Sequence, residues 1–371
     1  MSYSLLNINL NPFSGGSSWS GGSSWSGGSS WSGGSSGGSS GGSGGPAESI
    51  SSGLILSRAA IVGVFEQGHQ NKTTPSASLV LSNGPAAARL MRWDPAHAVA
   101  IVAGELLERL AVRYENDSLK LLVTQQAAAP GELALLTRPG QPTLDAQLKL
   151  VIAYADLRAD RFAEIQSQQV WPVDYWSAVL GITPRQHPNT LLLMAVAQSL
   201  AVHLVARMKH LANVPRPVQL SAQVQPMLPT PMHAAWPGGH ATESFTAAAL
   251  LLGLLTAAQP TLDTAPLKEQ LNRLATRIAT NRVVAGLHYP LDTAAGWALG
   301  TSLGEYVVAC ANNLDTAVNS RTFNSQSFRS DFSVNGDPAS KGTTENPLAL
   351  AGADGLDALQ ALWEAAKLEW A

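Results

Sequence analysis

Apolar residues return every three or four positions along several long stretches of this chain. That spacing is typical of helices that bury one face against a core. A turn at Pro139-Gly140 and a break at Gly286 separate some of these stretches. The predicted helices cover residues 95–114, 143–168, 191–210, 245–258, 271–284, 293–311 and 356–370. The pattern therefore predicts a largely helical protein.

Three connecting segments differ from these stretches. Residues 170–188 are rich in Trp and Pro, and residues 215–231 contain five prolines, which argues against a helix there. We expect an extended loop at 215–231 that walls a site and selects the substrate. Residues 318–346 are polar. We predict a helical domain at 47–317, then a polar loop and a C-terminal helix at 318–371 that packs on the same domain.

Residues 1–46 differ in kind from the rest of the chain. The unit Ser-Gly-Gly-Ser-Ser-Trp recurs there and places Trp19, Trp25 and Trp31 six residues apart. Such a Gly/Ser-rich segment cannot bury enough apolar surface to offset its ordering entropy. We therefore predict a disordered tail, which serves either as a flexible linker or, through its Trp side chains, as a weak contact for a partner.

Composition narrows the class of partner. The chain has 371 residues, of which 45% are apolar and 13% charged, and its net charge is −3. It contains no run of Lys or Arg, so nothing indicates nucleic acid or an anionic membrane surface as a partner. The single cysteine, Cys310, excludes an internal disulfide framework.

The two most apolar helices are predicted to be too short for a membrane. A span needs about 20 apolar residues. Gln198 and His203 interrupt the stretch at 191–210, and the run at 245–258 is shorter still. The N-terminus lacks the basic and apolar regions of a secretion signal. We therefore expect a soluble protein with no membrane span, located in the cytoplasm or exported by a non-standard route.

Three fragments at 209–217, 237–240 and 281–292 carry most of the chemistry. They supply one Lys, two Arg, a Gly pair, two His and one Asp. Arg offers a rigid fork of donors for phosphate-like oxygens, and Lys offers a compact positive charge. Adjacent glycines let backbone N–H groups approach an anion. The two imidazoles suit a nucleophile or metal ligand and a general acid–base. The fragments therefore predict a site for an oxyanion.

Local signals place these residues at helix starts. Gly238 and Gly239 precede an apolar helical run, where free N–H groups and the helix dipole favour an anion. Pro290 suits the first position of another helix, with Tyr289 as its cap. Asp292 would then lie in the first turn and reach back to the imidazole of His288, fixing its tautomer.

Together the fragments resemble the superfamily of type 2 phosphatidic acid phosphatases, bacterial non-specific acid phosphatases and vanadium-dependent haloperoxidases. The family pattern runs Lys, six residues, Arg-Pro; then Pro-Ser-Gly-His; then Ser-Arg, five residues, His, three residues, Asp. The matching residues, in the same order and spacing, are Lys209 with Arg216-Pro217, Pro237 to His240, and Arg282 with His288 and Asp292.

Two positions depart from the family pattern. Gly238 and Asn281 each stand where the family has Ser. Neither change removes a charge or a His. The loss of the hydroxyl at Gly238 would weaken anion binding by one hydrogen bond to a charged group, about 1.5–3 kcal/mol before compensation.

The resemblance implies a fold and a role for each matching residue. The fold would be all-α, a helical bundle of the acid phosphatase/vanadium haloperoxidase type. His288 would be the nucleophile of a phosphatase or the vanadium ligand of a haloperoxidase. His240 would be the acid–base residue, and Asp292 would hold His288. The residues implied to bind the oxyanion are Lys209, Arg216, Gly239 and Arg282.

The resemblance also leaves alternatives for the reaction. His233 lies seven residues before His240, at a position that tends to be His in bromide-type haloperoxidases. This favours an enzyme that binds vanadate and oxidises bromide or iodide with hydrogen peroxide. The alternative is a soluble phosphatase that hydrolyses phosphomonoesters through His288 without a cofactor. A third option is a non-catalytic oxyanion-binding or scaffold protein. Helical members of the superfamily often pair, so a homodimer is also implied.

Overall fold

The computed structural model describes residues 89–90, 92–124, 130–313, 317–335, 338–350 and 355–371. The predicted disordered tail at 1–46 lies outside these residues, so its disorder stays a prediction.

Ten helices form most of the described structure. They are α1 (Pro95–Leu107), α2 (Gln141–Ala153), α3 (Arg158–Ser167), α4 (Val173–Leu180), α5 (Pro188–Ala212), α6 (Pro217–Leu220), α7 (Gly239–Ala258), α8 (Ala265–Val284), α9 (Pro290–Ala311) and α10 (Asp357–Lys367). The predicted helices at 191–210, 245–258, 271–284, 293–311 and 356–370 are confirmed as α5, α7, α8, α9 and α10. Helix α9 lies at the centre and is buried along nearly its whole length.

A five-stranded mixed sheet packs against these helices. Its strands, in spatial order, are β1 (Leu110–Glu115), β2 (Ser118–Val123), β3 (Gly131–Thr137), β4 (Val318–Asn324) and β5 (Thr343–Leu348). Strands β3 and β4 pair in parallel, and the other neighbours are antiparallel. Strands β1 and β2 contact α5, whereas β3 and β4 contact α9. The all-α expectation is therefore wrong in part, although helices dominate.

The first hairpin explains one part of this error. The sequence pattern extends a helix to residue 114, but α1 ends at Leu107 and Leu110 is buried in β1 instead. Asn116 and Asp117 both have positive φ, at 50° and 57°. That conformation makes the tight turn that joins two antiparallel strands. Leu106 and Leu110 are four positions apart, which fits a helix. The turn at Asn116 and Asp117 instead pairs the residues from Leu110 onward with β2 as a strand.

The second part of the error lies at 318–346, which was expected to be a polar loop. Strand β4 buries Arg321, which hides the alternation of apolar residues that marks a strand. Arg321 forms ion pairs with Glu305 of α9 at 2.9 Å and with Glu345 of β5 at 2.7 Å. Two carboxylates therefore compensate a buried charge at a strand position.

The helix predicted at 143–168 is divided into two. A 3₁₀ turn at Tyr154–Leu157 separates α2 from α3. Arg158, the first residue of α3, donates hydrogen bonds of 2.8–2.9 Å to the carbonyls of Val224, Gln225 and Val284. Because these carbonyls belong to a loop and to α8, Arg158 fixes α3 against both.

Helices α7 and α9 approach each other closely through glycines of α9. A Cβ built on Gly300 would lie 2.4 Å from the carbonyl oxygen of Thr242, and one built on Gly296 would lie 2.5 Å from Ala241 Cβ. Gly304 repeats this contact one turn further along, at 2.6 Å from Ala249 Cβ. These three glycines therefore let the backbones of the two helices come into close contact.

The first residues of α7 and α9 also meet. The backbone N–H of Gly238, the N-cap of α7, donates to the carbonyl oxygen of Asp292 in the first turn of α9 at 3.0 Å. This bond and the glycine contacts hold two helix N-termini side by side. The partial positive charges of both helix ends therefore face the same region.

The C-terminus is fastened to the start of α5. Glu369 accepts hydrogen bonds from the backbone N–H groups of Asn189 and Thr190 at 2.7 and 2.8 Å. Trp370 donates its indole N–H to the Thr190 hydroxyl at 2.9 Å. A carboxylate at a helix N-terminus satisfies free N–H groups and favours the dipole. These contacts stabilise the N-terminal end of α5, the long helix that carries Lys209 in its last turn.

The expectation that the chain has no helix able to span a membrane is wrong. An 18-residue window within Pro188–Leu220 has a mean hydropathy of 1.7, and one within Gly239–Ala258 has 1.4. Both are long and apolar enough to cross a bilayer by length and composition. Of these windows 67% and 61% are buried inside the protein, as in a core helix, which meets the same criteria. Gln198 and His203 do not lower the mean hydropathy of the first helix enough to exclude a span.

Gly238 offers a test of the contact between the two helix starts. A Cβ at this position would lie 2.8 Å from the Asp292 carbonyl oxygen, so Gly238→Ala and Gly238→Ser should each lower the free energy of unfolding by about 1–3 kcal/mol. Gly239→Ala is the matched control, because its Cβ would meet Glu243 Oε1 only at 3.5 Å. Urea unfolding measures all three variants. Wild-type stability of Gly238→Ala would contradict this account.

Candidate active site

Three buried cations come together from three different elements. Lys209 lies in the last turn of α5, Arg216 is the N-cap of α6, and Arg282 lies in the last turn of α8. They are only 4%, 2% and 3% exposed. Buried charges are costly without partners. Their hydrogen bonds therefore show how the protein holds three positive charges in one place.

Arg216 contacts two backbone carbonyls and two imidazoles. Its Nη1 donates to the Leu287 carbonyl at 2.8 Å and lies 2.9 Å from His288 Nε2. Its Nε donates to the His233 carbonyl at 3.0 Å, and its Nη2 lies 3.0 Å from His233 Nδ1. His233 therefore orients the guanidinium fork with its backbone and its ring.

Main-chain carbonyls also hold the other two cations. Lys209 Nζ donates to the carbonyls of Ala234 and Ala235 at 3.1 and 2.7 Å. Arg282 Nη2 donates to the Ile165 carbonyl at 3.0 Å. Arg282 Nε is buried without a partner among the residues that the structure describes, which leaves a donor for an oxyanion. Burial lowers the pKa of Arg282 to about 10, so it stays charged at neutral pH.

His288 and Asp292 form the pair that the helix start was expected to make. Asp292 Oδ2 lies 2.7 Å from His288 Nδ1 and also accepts the backbone N–H of Tyr289, the N-cap of α9, at 3.1 Å. Because an arginine only donates, His288 Nε2 must accept from Arg216 Nη1. The proton of the neutral ring therefore sits on Nδ1, and Nε2 keeps its lone pair.

Burial acts on both members of this pair. It lowers the pKa of His288 well below its usual value, with further lowering from the charges of Arg216 and Lys209. The imidazole is therefore neutral at physiological pH. Burial raises the pKa of Asp292 to about 7, while the Tyr289 N–H and the nearby cations act in the opposite direction. The pair thus holds a neutral imidazole beside a carboxylate that titrates near neutrality.

His240, the second residue of α7, is fixed through its other nitrogen. Its Nε2 lies 3.0 Å from the carbonyl oxygen of Gln168, which directly follows α3. A carbonyl only accepts, so the neutral ring carries its proton on Nε2 and its lone pair on Nδ1. Burial and the charge of Arg282 lower the pKa of His240 to about 3.

The predicted site residues gather in one region of the described structure. His240, Arg282, His288 and Asp292 line one small space, together with Gly238, Ala241, Ala279 and Thr293. Arg216 reaches this space through His288, and Lys209 lies beside Gly239, with its Cε 3.9 Å from where a Gly239 Cβ would be. The geometry brings the residues together, and the role of each stays a proposal.

A larger cavity, of about 260 Å³, is lined by a different set of residues. Its lining includes Asn213, Gln219, Met232 and His233. His233 also contacts Arg216, and Gln219 Oε1 accepts the Arg216 backbone N–H at 2.7 Å. The cavity therefore adjoins the cation nearest to His288.

The two departures from the family pattern have structural explanations. A side chain at Gly238 would collide with the Asp292 carbonyl, so this backbone has no room for the family's Ser without a shift. Asn281 is fully buried and turns away from the anion site, towards α3. Asn281 Nδ2 donates to Glu164 Oε2 at 3.0 Å and to Gln168 Oε1 at 2.9 Å.

Sequence reasoning missed two residues next to the site. Gln168 contributes a backbone carbonyl, for which no sequence signal exists. Glu243 follows His240 by three positions, a spacing that puts both on one helix face and could have indicated it. Burial raises the pKa of Glu243 to about 7, against a hydrogen bond from Gln198 and the charge of Lys209. Glu243 therefore carries little negative charge in an acidic medium.

The part of the chain that carries these residues is similar to known proteins. The family model described as the PAP2 superfamily matches residues 189–315, which contain all of the predicted site residues. A decaprenylphosphoryl-5-phosphoribose phosphatase from Mycobacterium tuberculosis is 33% identical over 131 residues, covering 35% of this chain and 67% of that protein. The same protein from a second strain matches equally.

One solved structure also aligns with the chain. It is a transmembrane PAP2-type phosphatidylglycerolphosphate phosphatase from Bacillus subtilis, with 16% identity over 45% of this chain and 94% of that one. The TM-score is 0.27, so the likeness adds nothing to the fold assignment.

The Mycobacterium relative bears on the expected reaction, because it is a phosphatase by its name. The preference for a haloperoxidase therefore lacks support, and with it the vanadate cofactor. The expected soluble branch of the superfamily lacks support as well, since two helices are long and apolar enough to cross a bilayer. His233 has a structural explanation, since it orients Arg216. The family model and the Mycobacterium relative together show that this chain belongs to the PAP2 superfamily and is an enzyme, a hydrolase of that superfamily.

Proposed function

We propose that this enzyme is a phosphatase that hydrolyses a phosphomonoester through a phosphohistidine at His288. One observation carries the proposal above all. The Nδ1–H of His288 is held on Asp292 at 2.7 Å, which leaves the Nε2 lone pair facing the buried cations. A neutral imidazole with a fixed tautomer is a competent nucleophile towards phosphorus.

The charge of the site suits a phosphomonoester. Lys209, Arg216 and Arg282 are buried near two carboxyl groups, Asp292 and Glu243, whose pKa values burial raises to about 7. The cations therefore outnumber the carboxylates, and the net positive charge of the site suits a phosphoryl dianion. Such preorganised donors stabilise the charge that spreads over the equatorial oxygens during phosphoryl transfer. The N-terminus of α7 at Gly239 adds backbone N–H groups to the same region.

In the first step, the lone pair of His288 Nε2 forms a bond to phosphorus. The bond between phosphorus and the oxygen of the alcohol breaks, and protonated His240 gives its proton to that oxygen. The alcohol leaves, and the phosphoryl group stays on His288. Asp292 stabilises the positive charge that develops on the imidazole.

In the second step, a water molecule attacks the phosphorus of the phosphohistidine. Neutral His240 accepts a proton from the water as the new P–O bond forms. The P–N bond breaks, its electron pair returns to His288 Nε2, and inorganic phosphate leaves. Both imidazoles are then restored, so the cycle needs no cofactor.

Arg216 must change its hydrogen-bond partner when the substrate binds. Its Nη1 donates into the lone pair that must attack, at 2.9 Å. Phosphorus can approach Nε2 only if this donor moves onto a phosphoryl oxygen. The bidentate fork suits that exchange, since its other donors stay on the carbonyls of His233 and Leu287.

The larger cavity is the place for the alcohol part of the substrate. It adjoins Arg216 and has a volume of about 260 Å³, room for a polar group such as a sugar. The Mycobacterium relative acts, by its name, on a lipid-linked phosphoribose. We therefore propose phosphorylated sugars and their lipid-linked forms as the substrate class to test first.

Hydrolysis by matched variants tests the proposed function. His288→Ala and Asp292→Asn should lower kcat by about 100-fold or more, because they remove the nucleophile or the carboxylate that orients it. His203→Ala, an exposed residue of α5, is the control and should keep wild-type activity. Phosphate release from ribose 5-phosphate, a lipid phosphate and p-nitrophenyl phosphate is measured, with and without orthovanadate as a phosphate analogue.

Substrates with different leaving groups distinguish the role of His240 from that of His288. His240→Ala should harm hydrolysis of ribose 5-phosphate more than that of p-nitrophenyl phosphate, because nitrophenolate leaves without a proton. His288→Ala should harm both equally. Full activity of His288→Ala, or peroxide-dependent bromide oxidation in place of hydrolysis, would refute the proposal.

The pH dependence follows from the two perturbed groups. The productive enzyme has Asp292 ionised, with a pKa raised to about 7, and His240 protonated, with a pKa lowered to about 3. Lower pH protonates His240 but also Asp292, and higher pH does the reverse. The product of the two fractions therefore peaks between the two pKa values, at about pH 5.

A profile of kcat/KM from pH 3 to 9 checks this expectation. We expect a bell with its maximum on the acid side of neutrality. A maximum at about pH 8 or above would show that these groups do not set the rate.

A further inference from the structure

We propose that Asn281 and Gln168 are positioning residues for His240, which select the nitrogen that faces the phosphoryl group. Together they hold the end of α3 so that the Gln168 carbonyl accepts a hydrogen bond from the Nε2–H of His240, which leaves the Nδ1 lone pair for proton transfer. This inference rests on the proposed function for its catalytic meaning. Its structural part, the tautomer of His240, can be measured without any substrate.

The contact begins with the buried carboxamide of Asn281. This residue is 0% exposed and its Nδ2 donates to Gln168 Oε1 at 2.9 Å and to Glu164 Oε2 at 3.0 Å. Its Oδ1 accepts from Arg161 Nη1 at 3.2 Å. Asn281 of α8 therefore contacts two side chains of α3 and the side chain of Gln168, which follows that helix. A serine hydroxyl has a single proton to donate, so it could not reproduce the two donations of the carboxamide.

Gln168 passes this restraint to the site. Its side chain is held by Asn281, and its own carbonyl oxygen accepts from His240 Nε2 at 3.0 Å. The residue is 0% exposed, so the surrounding core packs against its side chain. Its carbonyl lies at the C-terminal end of α3, where the helix dipole favours a donor. The imidazole is thereby locked with its proton on Nε2.

The next residue of α8 reinforces the same alignment. Arg282 donates from Nη2 to the Ile165 carbonyl at 3.0 Å, one turn before Gln168. The consecutive residues Asn281 and Arg282 therefore both bind the end of α3. Asn281 donates to side chains there, whereas Arg282 donates to a backbone carbonyl. Of the two, Arg282 also lines the small space of the site. Asn281 acts through Gln168, so it is a positioning residue.

Four variants separate positioning from simple helix packing. Asn281→Ala removes the donor, and Gln168→Leu removes the acceptor while keeping similar bulk. Arg277→Ala is the matched control, because Arg277 pairs with Glu164 at 2.6 Å between the same two helices without contacting Gln168. His240→Gln identifies the resonances of His240 among the eight histidines.

Nitrogen-15 NMR of the imidazole rings reads the tautomer directly. In the wild type we expect neutral His240 with its proton on Nε2. In Asn281→Ala and Gln168→Leu we expect averaged signals from both tautomers, with kcat for ribose 5-phosphate reduced about 10-fold or more and KM changed less. Arg277→Ala should keep the wild-type tautomer and kcat.

Several outcomes would overturn the inference. They are a wild-type proton on Nδ1, an unchanged tautomer in both Asn281→Ala and Gln168→Leu, or the same loss in Arg277→Ala. If no variant or wild type hydrolyses a phosphoester, the proposed function fails, while the tautomer measurement still decides the positioning. Should Asn281→Ala not fold, Gln168→Leu and the wild type carry the test.

Discussion

The hydrogen bond between the Asp292 carboxylate and His288 Nδ1 is the interaction on which the site depends. It exists because Tyr289 caps α9 and places Asp292 in the first turn, where its carboxylate also accepts the Tyr289 N–H. The carbonyl of the same Asp292 receives the N–H of Gly238. One residue therefore orients the proposed nucleophile with its side chain and joins two helix starts with its backbone. The glycines of α9 make this approach possible, which links close helix packing to the chemistry.

The rest of the site answers one physical problem, the burial of three cations. In the described part of the structure, their side chains donate to carbonyl oxygens and imidazoles and to no carboxylate. The backbone carbonyls of Ala234 and Ala235 accept hydrogen bonds from Lys209. Those of His233 and Leu287 accept from Arg216, and that of Ile165 accepts from Arg282. Neutral acceptors keep the cations in place without cancelling their charge. The positive field is therefore kept for a substrate anion.

The sequence was informative where chemistry depends on residue type at fixed spacing. The three fragments, the cap at Tyr289 and the starts of α7 and α9 follow from local signals, and the structure brings them together. Contacts made by backbone atoms gave no such signal. The carbonyl of Gln168 meets His240 from 72 positions away, and nothing in its side chain indicates it. From the sequence, Asn281 is a position that lacks the hydroxyl of the family's Ser. In the structure its carboxamide donates hydrogen bonds to Glu164 of α3 and to Gln168.

Errors in the fold prediction have comparable causes. A positive-φ turn at Asn116 and Asp117 ends what looked like a helical stripe, and Arg321 disguises a strand because two carboxylates neutralise it inside. The membrane expectation failed because single polar residues were weighed above mean hydropathy. In each case a short sequence pattern was insufficient, because the structure depends on backbone turn geometry, on a partner distant in the sequence or on the average over a whole helix.

Trapping the covalent intermediate tests the central claim most directly. The enzyme would be mixed with phosphate-labelled ribose 5-phosphate, quenched in alkali to preserve P–N bonds, and mapped by peptide mass spectrometry. The account predicts a phosphoryl group on the peptide that contains His288, formed within one turnover and absent in His288→Ala. Hydrolysis that proceeds with no labelled histidine, or with the label on His240, would contradict it.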